Sequence, residues 1–287
     1  MDIQESVHTV YSSNRRMTME ERIKAKPFNK QTMLIRLTLT VLAILTVYGF
    51  VTFDYKDIRF WDAVYAAADT IKTMFFQPFL NHITIGEALK QVVITLGLAF
   101  LTTLFGAVIA LFLSLLAARN LSNYRLSIFV KGLVAFIRAV PTVLWVLIFA
   151  VAAGLGSVAA VIGMTFHSIS YLVKAYSESF EELDKGIIEA LKASGASWWQ
   201  IVFQAVIPSS ISYLISWTFM RFEINFAVAV AMGAAAGAGG IGFDMFMASS
   251  YYYDVREIGA ITYLILAFAV LLELVASRIK KKLRVMD

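Results

Sequence analysis

The chain contains no cysteine, which excludes disulfides, thiolate metal sites and thiol nucleophiles. Only four prolines occur among 16 glycines, so neither a collagen-like nor a proline-rich low-complexity chain is possible. Charge is equally scarce. Asp, Glu, Lys and Arg make up 16% of the 287 residues, against about 25% in soluble domains. What is present is apolar: 59% hydrophobic residues, including 22 Phe, 12 Tyr and 5 Trp. That balance excludes a disordered chain and an ordinary water-soluble enzyme. The net charge of +5 is read as basic loops facing the cytosol, not as a nucleic-acid footprint.

Crossing the hydrocarbon core as a helix takes about 20 apolar residues. Six stretches qualify. They are Leu37–Phe53, anchored by Thr32–Arg36; Gln91–Ala118; Leu126–Val151, interrupted by Lys131 and Arg138; Ser157–Lys174; Ser209–Ala231; and Ile258–Ala276. Gly154-Leu155-Gly156 is the turn between the third and fourth. The fold class expected is all-α, a polytopic membrane protein with six transmembrane helices. Of the 25 basic residues, 18 fall in segments 1–36, 117–131, 174–200 and 278–287, and four (Lys56, Arg59, Lys72, Arg256) on the other side. The positive-inside rule then places both termini in the cytosol. The polar first 36 residues read as a cytosolic segment and not as a signal peptide. Residues 37–85 read as the first span and an outer loop, 86–277 as a five-helix core, and 278–287 as a basic cytosolic tail. In the outer loop, Phe60-Trp61 and Phe75-Phe76 suggest short amphipathic helices at the interface.

The inner loop 174–208 is too long and polar for a simple turn. A short helix through Glu189 stops at Gly195, Ser197 caps a second, and Pro208 marks its passage into the fifth span. Glu189-Ala190-Leu191, three residues, Gly195, nine residues, then Ala205-Val206-Ile207-Pro208 resembles the cytosolic loop of membrane subunits of ATP-driven importers. Leu191, Ala205 and Ile207 depart from the family's usual letters but keep their apolar character. Arg138-Ala-Val-Pro141, His167-Ser168, Arg221-Phe-Glu223-Ile-Asn225 and Gly237-Ala-Gly239-Gly240-Ile-Gly242 follow in the order seen in phosphonate-type permeases. The resemblance implies a homodimer in the lipid bilayer forming the pore, two copies of a separate ATP-binding subunit, and an extracytoplasmic substrate-binding protein. It implies import of phosphonate, phosphite or a phosphate ester. It also makes 174–208 a cytosolic coupling-helix loop, with Glu189, Ala190, Gly195, Ile207 and Pro208 engaging the ATPase. No Gly-x-x-x-x-Gly-Lys-Ser/Thr loop is present, so ATP hydrolysis is assigned to the partner, and no catalytic residue, metal or cofactor is expected in this chain.

Arg138 and Arg221 each fall about 12 residues into a span, roughly 18 Å deep. An arginine there costs at least about 2.5–3.5 kcal/mol unless it meets water or a partner. Arg138, Arg221, Glu223 and Asn225 are therefore candidates for the substrate path, with an Arg138–Glu223 salt bridge as the competing reading. A secondary transporter coupled through Glu223 is the alternative function. Gly237, Gly239, Gly240 and Gly242 follow a transmembrane helix and not a strand, so they are read as a gate or a close-packing element and not as a dinucleotide loop.

Overall fold

The computed structural model describes residues 30–52 and 59–284; residues 1–29 of the expected cytosolic segment, Phe53 at the end of the first expected span, Lys56 and the last three residues of the basic tail lie outside them. The chain divides into two units, Met1–Ala63 and Val64–Asp287. Among the described residues all regular structure is helical: α1 Lys30–Thr52, α2 Phe60–Phe76, α3 Ile85–Ala117, α4 Tyr124–Ala139, α5 Thr142–Ala153, α6 Ser157–Glu181, α7 Lys185–Ala193, α8 Trp198–Ile201, α9 Ile207–Ala236, α10 Ile241–Ser250 and α11 Val255–Arg284. Five uninterrupted helical segments are long and apolar enough to cross a membrane, and the α4–α5 pair makes six if counted as one span.

The expected third span is not straight. α4 and α5 meet at 89° across Val140-Pro141. Proline offers no N–H to the helix ladder and pushes the residue before it out of the helical region. Val140 accordingly lies at φ −90°, ψ 124°. The Trp145 indole N–H donates to the Ile137 carbonyl at 3.0 Å, satisfying an acceptor that the break leaves without a helical partner. Arg138 thus stands in the last turn of a short helix beside a corner, not halfway along a continuous span.

α6 is the hub, packed against α3, α4, α5 and α9. Small residues allow this. A Cβ on Gly106 of α3 would lie 2.8 Å from the Ser168 Cβ, and one on Gly163 would lie 2.5 Å from the Val146 backbone. Ala99, Thr103, Gly106, Ala110 and Ser114 are spaced by three or four residues along α3, and all are buried, as is the adjacent Thr102. Between membrane helices such small stripes permit backbone contact, where van der Waals packing is the main attraction.

Near Pro208 the second short helix passes into α9 through a π-helical turn at Val202–Val206, with the Ile207 N–H bonded to the Val202 carbonyl. The wider turn accommodates the proline ring without breaking the rod.

At the opposite end of α9, Gly237 closes the helix in the left-handed region at φ 60°. Gly239 and Gly240 also have positive φ, 78° and 74°. Ile241 N–H donates to Thr95 Oγ1 at 3.0 Å, seating the turn on α3. A Cβ on Gly242 would overlap the Val230 carbonyl, whereas one on Gly239 would meet nothing within 4 Å. Nearby, Glu257 at the start of α11 is 1% exposed and contacts His82 Nδ1 at 2.6 Å and the His82 N–H at 3.1 Å. His82 stacks on Tyr252 at 3.8 Å, and Asn81 donates to Asp254. His82, Asp254 and Glu257 set ligand atoms within 4.8 Å of one another, each already engaged by these bonds. Hydrogen bonds from Asn81, Glu257 N–H and Arg256 N–H outweigh burial and hold the Asp254 carboxyl below its ordinary range.

Two expectations follow. Gly242→Ala should lower stability by about 1–3 kcal/mol through overpacking, and Gly239→Ala by about 1–2 kcal/mol through backbone strain alone; denaturation in detergent, with a nearby Trp reporter, checks both. Asp244 in α10 is held up at about 6 by burial and then by the Glu257 and Glu87 carboxylates. Its folded value lies above the unfolded one, so its ionisation weakens the fold as pH rises through roughly 4 to 6. Asp244→Asn should therefore raise the melting temperature at pH 7.5 and give no gain at pH 4.

Candidate functional site

Two places concentrate polar chemistry in the bundle. The first is a network in its interior, built where α6 approaches α3 and α9. Arg221 is 2% exposed and Asn225 is fully buried, one turn apart on the same face of α9. Arg221 Nε donates to Ser168 Oγ at 3.1 Å, and its Nη2 lies 3.1 Å from His167 Nδ1. The guanidinium sits 5.2 Å from the centroid of the Tyr171 ring, a cation–π distance. Asn225 Nδ2 donates to Thr103 Oγ1 at 2.8 Å and to Ser168 Oγ at 3.0 Å. The Ser168 hydroxyl has acceptors in the Met164 carbonyl at 2.9 Å and Asn225 Oδ1 at 3.2 Å.

This geometry assigns a tautomer. An arginine only donates, so His167 Nδ1 accepts and the ring is neutral with its proton on Nε2. His167 is half-buried, unlike Arg221, to which it is bonded, and Asn225. Glu223 does not share this face; two residues along, it stands about 200° around α9 from Arg221. Arg138 is not hydrogen-bonded into this network; its side chain is exposed, on the α4 face that turns toward α6. Of the four path candidates, the network thus contains Arg221 and Asn225. Thr103, Ser168 and Tyr171 complete it. His167-Ser168 was visible in the sequence as one of the segments that carry the resemblance, whereas Thr103 resembles every other small polar residue of α3.

The second place is the α7–α8 hairpin. Asp184 accepts from the Gly186 N–H at 2.9 Å to start α7. Gly195, at φ 83°, ends it, with Ala196 N–H bonded to the Leu191 carbonyl at 3.0 Å. Ser197 and Gln200 then form a reciprocal capping box that starts α8. The hairpin is fixed to the bundle by buried Ile188, Ile201, Val202 and Val206, which join the core of α3, α4 and α6. Trp198 Nε1 donates to the Leu121 carbonyl at 2.8 Å. Glu189, Ala190 and Gly195 remain exposed on the free side, Pro208 is exposed, and Ile207 is half-buried at the base. Trp199 and Phe203 stack at 5.8 Å with both rings exposed.

Solved structures share this architecture. An inward-facing crystal form of the MetNI methionine ABC transporter aligns with TM-score 0.64 over 71% of this chain and 99% of that one, at 23% identity. A bacterial ABC transporter importing the acidic polysaccharide alginate aligns with TM-score 0.59 over 88% and 99%, at 12% identity. By sequence, the phosphate-import permease protein PhnE of Mycolicibacterium smegmatis is 29% identical over 66% of this chain, which spans only 35% of that protein's length. The phosphite transport system permease protein PtxC of Stutzerimonas stutzeri is 30% identical over 67% of this chain and 70% of its own. A putative phosphite permease, HtxC, of the same organism is 32% identical over 58% of each. Residues 110–284, more than half of the chain, match the family described as binding-protein-dependent transport system inner membrane component, and the protein belongs to that family.

Proposed function

We propose that the chain is the pore-forming permease of an ATP-driven importer for a phosphorus oxyanion such as phosphonate, phosphite or a phosphate ester. It acts as a homodimer in the inner membrane with two ATP-binding subunits beneath and an extracytoplasmic binding protein above, and both termini are cytosolic. The observation that carries this reading is the α7–α8 hairpin. Its inner side is bolted to the bundle while Glu189, Ala190, Gly195 and Trp199 are left free, as a rigid element that transmits movement from a docked partner must be. An ion-driven carrier coupled through Glu223 has no use for such an element, and the family assignment disfavours it.

The substrate class draws on the relatives named for phosphate and phosphite and on the chemistry of the interior network. Arg221 and Asn225 serve as its buried anchors. By accepting from Arg221, the half-buried His167 is left with an Nε2–H donor, suited to an oxyanion passing through the pore. Arg138, beside the α4–α5 corner, supplies positive charge from an exposed side chain. Together these groups offset the cost of bringing an anion into a low-dielectric path. The turn Gly237, Gly239, Gly240 and Gly242 forms the gate at the far end, the first three in backbone conformations open chiefly to glycine and Gly242 in close contact with Val230.

Two measurements test this reading. A Cβ at Gly195 meets nothing within 4 Å, although its φ of 83° strains any side chain, so Gly195→Asp should cost about 1–2 kcal/mol, still fold and insert, yet lose co-purification of the ATP-binding subunit. Normal assembly and ATP-driven uptake of phosphite or methylphosphonate by that variant would remove the coupling assignment. Arg221→Gln should abolish uptake and also cost about 1–3 kcal/mol of stability, because it strands buried partners. Arg221→Lys, keeping the charge without the planar fork, should retain part of the uptake.

A further inference from the structure

A second concentration of charge lies between α4 and α6. Lys131, Val134, Ala135 and Arg138 fall at i, i+3, i+4 and i+7, one face of α4. They meet Val173, Lys174, Ser177 and Glu178 of α6 around a cavity of about 190 Å³. Topology places it in the half of the bundle that carries the α7–α8 hairpin, since α4 begins and α6 ends there. Three cations and one carboxylate line it.

The carboxylates at this site are arranged unequally. Lys131 Nζ donates to Glu181 Oε1 at 2.7 Å, and Glu181 also accepts the Arg119 N–H at 2.8 Å, so that acceptor is fixed by two donors. Lys174 and Glu178 are 3.7 Å apart, and each side chain is more than half exposed. A pair of that kind is weak and exchanges readily. The cavity therefore presents an ammonium already loosely matched to an anion, next to an exposed guanidinium on the facing helix. A tetrahedral oxyanion with up to two negative charges can take Lys174 from Glu178 and use the planar fork of Arg138. The internal carboxylate then reclaims the lysine when the anion leaves, which keeps occupancy weak and reversible.

Resting on the oxyanion-importer reading, we propose that this cavity is an exit station for the phosphorus oxyanion on the side of the ATP-binding subunits, where cargo competes with Glu178 for Lys174. Its consequence is product feedback: oxyanion accumulated on that side refills the station and slows further import. The same chemistry would also accept the phosphate of a lipid headgroup, and the experiment separates the two sources.

The full complex is reconstituted with ATP inside vesicles, and initial uptake of labelled phosphite is measured with increasing methylphosphonate trapped inside. Trapped methylphosphonate should slow uptake by the native complex. Lys174→Gln should raise the concentration needed by roughly threefold to tenfold, and Glu178→Gln should lower it by a similar factor. Equal inhibition in all three proteins, or none, would overturn the station. The series is run in phosphatidylcholine and again with phosphatidylglycerol added. Unchanged inhibition in both supports the free anion. If the variants differ only with phosphatidylglycerol and trapped methylphosphonate has no effect, the occupant is a headgroup and the exit station is wrong. A native complex that takes up no phosphorus oxyanion at all fails the functional reading itself, a separate outcome from uptake without feedback.

Discussion

The close approach of α6 to its neighbours is the constraint on which the interior depends. At Gly106 and Gly163 there is no room for a side chain, and the backbones of α3 and α5 come almost into contact with α6. Only at that spacing does the short Ser168 side chain reach both Arg221 and Asn225 on α9, with Thr103 of α3 near enough for Asn225. The apolar packing and the polar network are thus one arrangement. Larger residues in the stripe would move the helices apart and leave a guanidinium buried without acceptors, where an unmet polar group is costly.

That arrangement also explains how mechanical and chemical parts can share one small bundle. The hairpin joins the core formed by the α3, α4 and α6 ends, whereas the glycine turn joins a second core of α3, α9 and α11 residues. α3, α6 and α9 run through both. A shift imposed at the hairpin therefore has rigid rods along which to act, and the network lies along those rods between the two ends. The Lys174–Glu178 pair sits at the hairpin end, on a surface where water weakens it.

Much of the fold was legible because membrane helices declare themselves by uninterrupted apolar length. Local punctuation was legible too: Gly195 does end a helix, and Ser197 does begin one. The corner at Pro141 was not, since the apolar run continues across it and hydropathy carries no direction. One straight helix and two short ones at a right angle have the same profile. The mid-bundle network was only half readable. Arg221 and Asn225 are conspicuous in an apolar span and share a face by spacing, but which helix supplies their acceptors depends on contacts between distant segments. Thr103 lies 122 residues from Asn225, and no local pattern reports that encounter. The placement of Arg138 was misleading for a related reason: counting along a span measures depth only when the span is straight.

The π-helical turn at Val202–Val206 has a consequence for helical phase. Each residue of an α-helix advances the side-chain direction by about 100°, and a π turn holds one residue more than the α turn it replaces. The buried face of Trp198–Ile201 is therefore out of step with the buried face of α9, although the two form one rod. Removing a single residue between 202 and 206 would restore ordinary winding and leave the hairpin facing nearly as it does now, whereas winding all five residues as α-helix would swing it about 100° around the axis. Both helices would keep their own sequence, yet the tool end of the lever would face a different direction from the handle.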